Sequence, residues 1–107
     1  MNGYQLTFFT EQNRKHADMP IGEWLLQEAK KLGVGGATLL ACDEGFGRDR
    51  KLHSSHFIEL ADQPIEVTMA LSDLDAKSLL LLLRQEQINV FYVKTPIEFG
   101  MTADIDG

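Results

Sequence analysis

Residues 4–10 place Tyr4, Leu6 and Phe8 on one side of an extended chain and Gln5, Thr7 and Phe9 on the other. Their aromatic and β-branched content predicts a first strand. Residues 37–42 are apolar on both sides, Ala37, Leu39 and Ala41 opposing Thr38, Leu40 and Cys42. A strand with no polar side is expected to be covered on both. Residues 65–71 alternate, with Ile65, Val67, Met69 and Leu71 facing one way and Glu66, Thr68 and Ala70 the other. Residues 89–94 form the last strand, which Pro96 is expected to end. A shorter extended arm is expected over residues 53–60, with a turn at residues 61–64.

Two stretches switch to a helical period. After a polar loop over residues 11–18, Pro20 fits a first helical turn, with Asp18 or Met19 as cap and Glu23 complementing the helix dipole. Ile21, Trp24, Leu25, Ala29 and Leu32 then recur at helical spacing, and only Glu28 interrupts the apolar face. Gly33 is the stop, and Gly35 and Gly36 finish the turn. Ser72, with Asp75 three residues on, is a capping-box start for a second helix that runs to about Gln85. Leu79 to Leu83 are consecutive leucines and wrap that helix all round. Either they overpack one core, or part of the helix meets another subunit.

The order is therefore strand, helix, strand, strand, helix, strand. That is the split βαβ, or ferredoxin-like, α+β arrangement: an antiparallel sheet with both helices on one face. The other face would carry Phe9, Leu40, Ala70 and several threonines, which is too apolar for water, so self-association is expected.

The chain of 107 residues fits one domain over residues 1–99, followed by an acidic, frayed tail over residues 100–107 with Asp104 and Asp106. A net charge of −6 argues against general nucleic-acid affinity, which needs a basic face. The cations are unevenly placed, however. Arg14, Lys15, Arg48, Arg50 and Lys51 are half of the ten, and they fall in two loops. The single cysteine, Cys42, excludes an intrachain disulfide and any cysteine-cluster metal site. No signal peptide is visible and the longest apolar run, Leu79 to Leu83, is too short to span a bilayer. The simplest expectation is a cytoplasmic protein with no membrane insertion.

Candidate chemistry concentrates in residues 36–56, where an apolar strand feeds a glycine-rich, basic loop. Gly45 and Gly47 free the backbone for close approach to a phosphate, while Arg48, Arg50 and Lys51 supply charge. The competing reading is an exposed loop with solvated cations. His53 could donate a hydrogen bond to a ligand phosphate or make a structural contact at the loop base. His53 and His56 also invite a metal reading, with His16 or Asp43 completing a site between subunits. Positions three apart on a strand face opposite ways, so only a looped conformation would aim both rings at one ion. No activated serine or cysteine and no carboxylate pair of recognisable spacing points to an enzyme.

Gly36-Ala37-Thr38, then Glu44-Gly45-Phe46-Gly47, then Leu52-His53-Ser54 resemble the PII-like family known as domain of unknown function 190. His16 and Pro20 resemble that family's His-x-x-Pro region, and the likeness covers roughly residues 4–99. Cys42 stands where the family usually has glycine, and the His16 segment is one residue longer than usual.

The resemblance implies a homotrimer with a long loop between its second and third strands. It also implies an adenine nucleotide held between subunits at the loop base, with Gly45, Gly47, Arg48, Arg50, Lys51, His53 and His16 as candidate ligand-binding residues. The loop would meet a membrane transporter, a channel or an enzyme, and residues 43–52 would be disordered without ligand. Two alternatives stay open: a divalent-metal-binding trimer resembling copper-tolerance proteins, with His53 and His56 as ligands, and a small ferredoxin-like enzyme.

Overall fold

Strand β1 (Asn2–Glu11) lies inside the sheet because its alternation gives it a core side and a second side that is half covered. The computed structural model describes residues 1–42, 44–45, 53–54 and 63–106, with backbone alone at 44–45 and 53–54. After β1 come the short strands β2 (Lys15–His16) and β3 (Met19–Pro20), then helix α1 (Ile21–Leu32) and strand β4 (Ala37–Ala41). The short strands β5 (Glu44–Gly45) and β6 (His53–Ser54) follow, then β7 (Pro64–Leu71), helix α2 (Asp73–Gln85) and strand β8 (Phe91–Glu98). A single 3-10 turn, Thr102–Asp104, closes the described chain.

The main sheet has the order β4-β7-β1-β8 and every pairing in it is antiparallel. This is the ferredoxin-like order, with β1 and β4 parallel to each other on either side of β7. Register decides which residues meet: Leu6 lies opposite Met69 and Phe8 opposite Val67, so the apolar sides of β1 and β7 coincide. Ile21, Trp24, Leu25 and Ala29 of α1 and Ala76, Leu79 and Leu83 of α2 pack on that side to form one core. Gly22 permits close seating of α1. A Cβ there would stand 2.9 Å from Leu39 Cδ1 and 3.1 Å from Ile65 Cγ2.

Both helix ends follow local chemistry. Gly33 ends α1 at a φ of 75°, the left-handed position where glycine carries no steric cost. Ser72 Oγ accepts from the Asp75 backbone N–H at 3.1 Å at the start of α2. Ser72→Ala is expected to cost about 1 kcal/mol, read as a lower urea midpoint with unchanged slope. An unchanged midpoint would mean that the cap contributes nothing.

Several expectations need correction. Pro20 is the N-cap of α1, at φ −53° and ψ 137°, and not a first-turn residue; no side chain caps the helix. Asp18 instead shares a two-residue turn with Ala17, both at positive φ, which folds the expected loop into the β2–β3 hairpin. β4 is not covered on both sides. It is an edge strand, and Thr38 and Leu40 are exposed. Pro96 does not end β8, which continues to Glu98 with Pro96 opposite Tyr4. An edge strand tolerates proline because half of its N–H groups have no partner strand to lose.

The side of the sheet away from the helices carries Phe9, Leu40, Phe91 and Val93 among Thr7, Thr38, Thr68 and Thr95. Leu40 is 56%, Phe91 59% and Val93 44% exposed, so this side has a wide apolar surface in one chain. Phe9 and Phe91 stack across the strands with ring centroids 5.7 Å apart.

Candidate functional site

The basic, glycine-rich segment leaves the sheet from the end of β4 and returns at the start of β7. Ala41 pairs with Ile65, and the Cys42 N–H donates to the Pro64 carbonyl at 2.8 Å. One strand further in, the Gln12 N–H donates to the Gln63 carbonyl at 2.9 Å, so the start of β7 is held from both sides. Beyond this root β5 and β6 form an antiparallel ladder that sets Glu44 opposite Ser54 and Gly45 opposite His53. Two of the candidate ligand residues are thus neighbours in the backbone although eight positions apart in the chain. Gly47, Arg48, Arg50, Lys51 and His56 lie outside the described residues, as does most of the 43–52 stretch expected to order on binding.

His16 is placed by the β2–β3 hairpin. Its Nε2 stands 3.6 Å from Glu86 Oε2, and its ring meets the buried Trp24 edge-on, with centroids 5.4 Å apart and planes at 79°. Next to it, Arg14 Nη2 donates to the Asn89 carbonyl at 2.8 Å, and the Arg14 carbonyl accepts from the Ile21 N–H at 2.9 Å. The hairpin therefore ties the start of α1 to the end of α2. Glu86 and Asn89 were not legible as partners of this hairpin, because contacts over seventy residues leave no local pattern.

A second concavity was also missed. It is a groove of about 670 Å³ between α2 and β8, with Phe8, Leu80, Leu83, Ile88, Val90 and Tyr92 along its apolar surface. The leucine run of α2 was its one sequence signal. Lys77 and Arg84 stand on its α2 side. Asp73 Oδ2 lies 2.9 Å from Lys77 Nζ. That hydrogen bond first, and the carboxylate charge second, hold the exposed ammonium above the usual lysine range. Among the described residues no three His, Cys, Asp or Glu side chains are grouped to hold a metal ion, and no helix is long and apolar enough to cross a membrane.

Residues 3–93 match the profile of DUF190, described as an uncharacterized ACR. The chain belongs to the DUF190 family. Solved structures similar to this DUF190 protein are PII-like. CPII, a nitrogen regulatory PII-like protein from Thiomonas intermedia bound to ADP, AMP and bicarbonate, superposes with a TM-score of 0.68 at 18% identity. That match covers 96% of this chain and 92% of CPII. A chain described as a PII-like signalling protein from Thermus thermophilus gives 0.65 at 18% identity, covering 90% of this chain and 87% of the other. The apo form of CPII gives 0.52 at 14% identity, covering 92% and 96%. At these identities the shared property is the fold, which is PII-like and ferredoxin-like.

Proposed function

We propose that this DUF190 protein is a PII-like regulator and not an enzyme. In this reading it is a cytoplasmic homotrimer that holds a small anionic ligand, an adenine nucleotide, between subunits at the root of the β4–β7 segment. Ligand binding changes how that segment meets a partner, a membrane transporter, a channel or an enzyme. Gly45, Gly47, Arg48, Arg50, Lys51 and His53 would contact the ligand. His16, held against Glu86 and Trp24, would contribute from the hairpin.

The observation that carries the reading is the pairing of Gly45 with His53. The ladder sets side by side the two described residues that flank the glycine-rich, cationic stretch of the sequence. Backbone N–H groups beside guanidinium groups are what a phosphate needs. The adenine nucleotides in the similarly folded CPII agree with that chemistry. In an acidic protein long-range steering offers an anion little, so local contacts must hold it.

Charge-assisted hydrogen bonds contribute roughly 1.5–3 kcal/mol each, enough for two or three to support micromolar binding after ordering costs. Calorimetric titration with ADP, AMP and ATP tests this. The double change Arg48→Ala with Arg50→Ala is expected to weaken nucleotide binding at least about tenfold, or roughly 1.4 kcal/mol, without changing particle mass. His53→Ala is expected to weaken it less, since a neutral imidazole offers one donor. Binding unchanged in both variants would place the ligand elsewhere.

A further inference from the structure

The α2–β8 groove has a composition that the nucleotide reading does not use. Its apolar surface is open to solvent at Leu81, 55% exposed, and at Tyr92, 45% exposed. Its cations, Lys77 and Arg84, are seven residues apart on α2, a rise of about 10 Å. Lys77 uses one of its three donors on Asp73. In a chain of net charge −6, an apolar groove edged by two cations calls for an acidic, apolar occupant.

The chain ends in such a segment. Met101 and Ile105 are each 70% exposed, and Asp104 and Asp106 alternate with them. The Asp104 N–H donates to the Met101 carbonyl at 3.0 Å and the Ile105 N–H to the Thr102 carbonyl at 3.2 Å, which winds the segment into one turn. Met101 and Ile105 flank that turn in extended conformation, one on each side of it.

We propose that residues 101–106 of one copy seat in the α2–β8 groove of another copy, with Met101 and Ile105 on the apolar surface and Asp104 and Asp106 against Lys77 and Arg84. The chain's own tail is not seated in its own groove, since Met101 and Ile105 are each exposed. Phe99 is pinned to Met1 by two hydrogen bonds of 2.9 Å, at the Asn2 end of the sheet. A six-residue segment buries too little area to bind tightly alone. The docking therefore rests on the self-association proposed above, which raises the effective concentration of a neighbour's tail to the millimolar range.

The test uses the full chain with Cys42→Ser and the pair Leu81→Cys and Ile105→Cys, treated with a short bis-maleimide. Covalent dimers and larger species are expected, in at least about threefold higher yield than from either single-cysteine chain. Adding Lys77→Glu with Arg84→Glu is expected to lower that yield at least about threefold, and Asp104→Lys with Asp106→Lys on the same background to restore it. Light scattering of the same samples separates the two levels. Multichain particles that give no bridging, or only internally bridged single chains, overturn the docking alone. Single 12.0 kDa chains overturn the assembly and the docking with it.

Discussion

Phe91→Asp combined with Val93→Asp is expected to turn the proposed three-chain particle into separate 12.0 kDa chains. Both side chains lie on the side of the sheet away from the helices, opposite Phe9 and Thr7, and both are exposed in a single chain. With Phe9 of β1 they make an apolar band along the β1–β8 edge, and the same rows cross β7 at Glu66 and Thr68 before reaching Leu40 and Thr38. Burial of apolar surface stabilises by about 25 cal/mol per Å², so sheet-to-sheet contact is strongly favoured while the band stays apolar. Aspartates on its β8 side reverse the sign, because each carboxylate would lose its water without gaining a partner. The folded chain should tolerate the change, since neither side chain reaches the core. Light scattering at micromolar protein reads the mass, and circular dichroism reads the fold. Leu74→Asp, also on an exposed side chain but on α2, should leave the mass unchanged. A variant that keeps its mass, or a parent protein that is already single chains, would remove the sheet face as the assembly surface.

Much of the fold was legible because its signals are local. The alternation of residues 65–71 is the observed burial pattern of β7, and Ser72 with Asp75 marked the start of α2 at the residue where it occurs. Gly33 ended α1 where the lack of a side chain is useful. What failed depended on neighbours in space. Residues 37–42, apolar on both faces, were expected to be covered on both, but the helices cover one face of the sheet and Thr38 and Leu40 stand exposed on the other. Pro96 looked like a stop until β8 proved to be an edge. Ala17 and Asp18 make a turn normally given to glycine or asparagine, so the hairpin that carries His16 had no composition signal. The candidate site divides in the same way. Of the candidates over residues 45–53 the ladder pairs Gly45 with His53, while Gly47, Arg48, Arg50 and Lys51 lie outside the described residues. The contact of His16 with Glu86, and the groove with Lys77 and Arg84, needed α2 to be docked before they could exist.

Phe8→Ala is expected to cost about 3–5 kcal/mol, the largest stability effect of any single change considered. Phe8 has no solvent exposure and sits in β1, paired with Val67 on one side and Tyr92 on the other. Its ring lies 6.3 Å from that of Tyr92, and it also forms part of the surface of the α2–β8 groove. Truncation therefore removes a ring from the centre of the sheet, where strands on both sides prevent the backbone from collapsing into the space. Domains of this size are stable by roughly 5–15 kcal/mol, so the loss is a large fraction of the total. Each kcal/mol lowers the melting temperature by roughly 4–8 °C, which predicts a drop of roughly 12–40 °C. Leu81→Ala, on the exposed lip of the same groove, removes little buried surface and should change stability by under about 1 kcal/mol. Both variants must be melted at one protomer concentration, because self-association raises apparent stability by mass action. Phe8→Leu should recover most of the loss by refilling the space. If Phe8→Ala melts within a few degrees of the parent, the core does not centre on β1. The groove would then be a surface of the helices alone, with no support from the sheet beneath it.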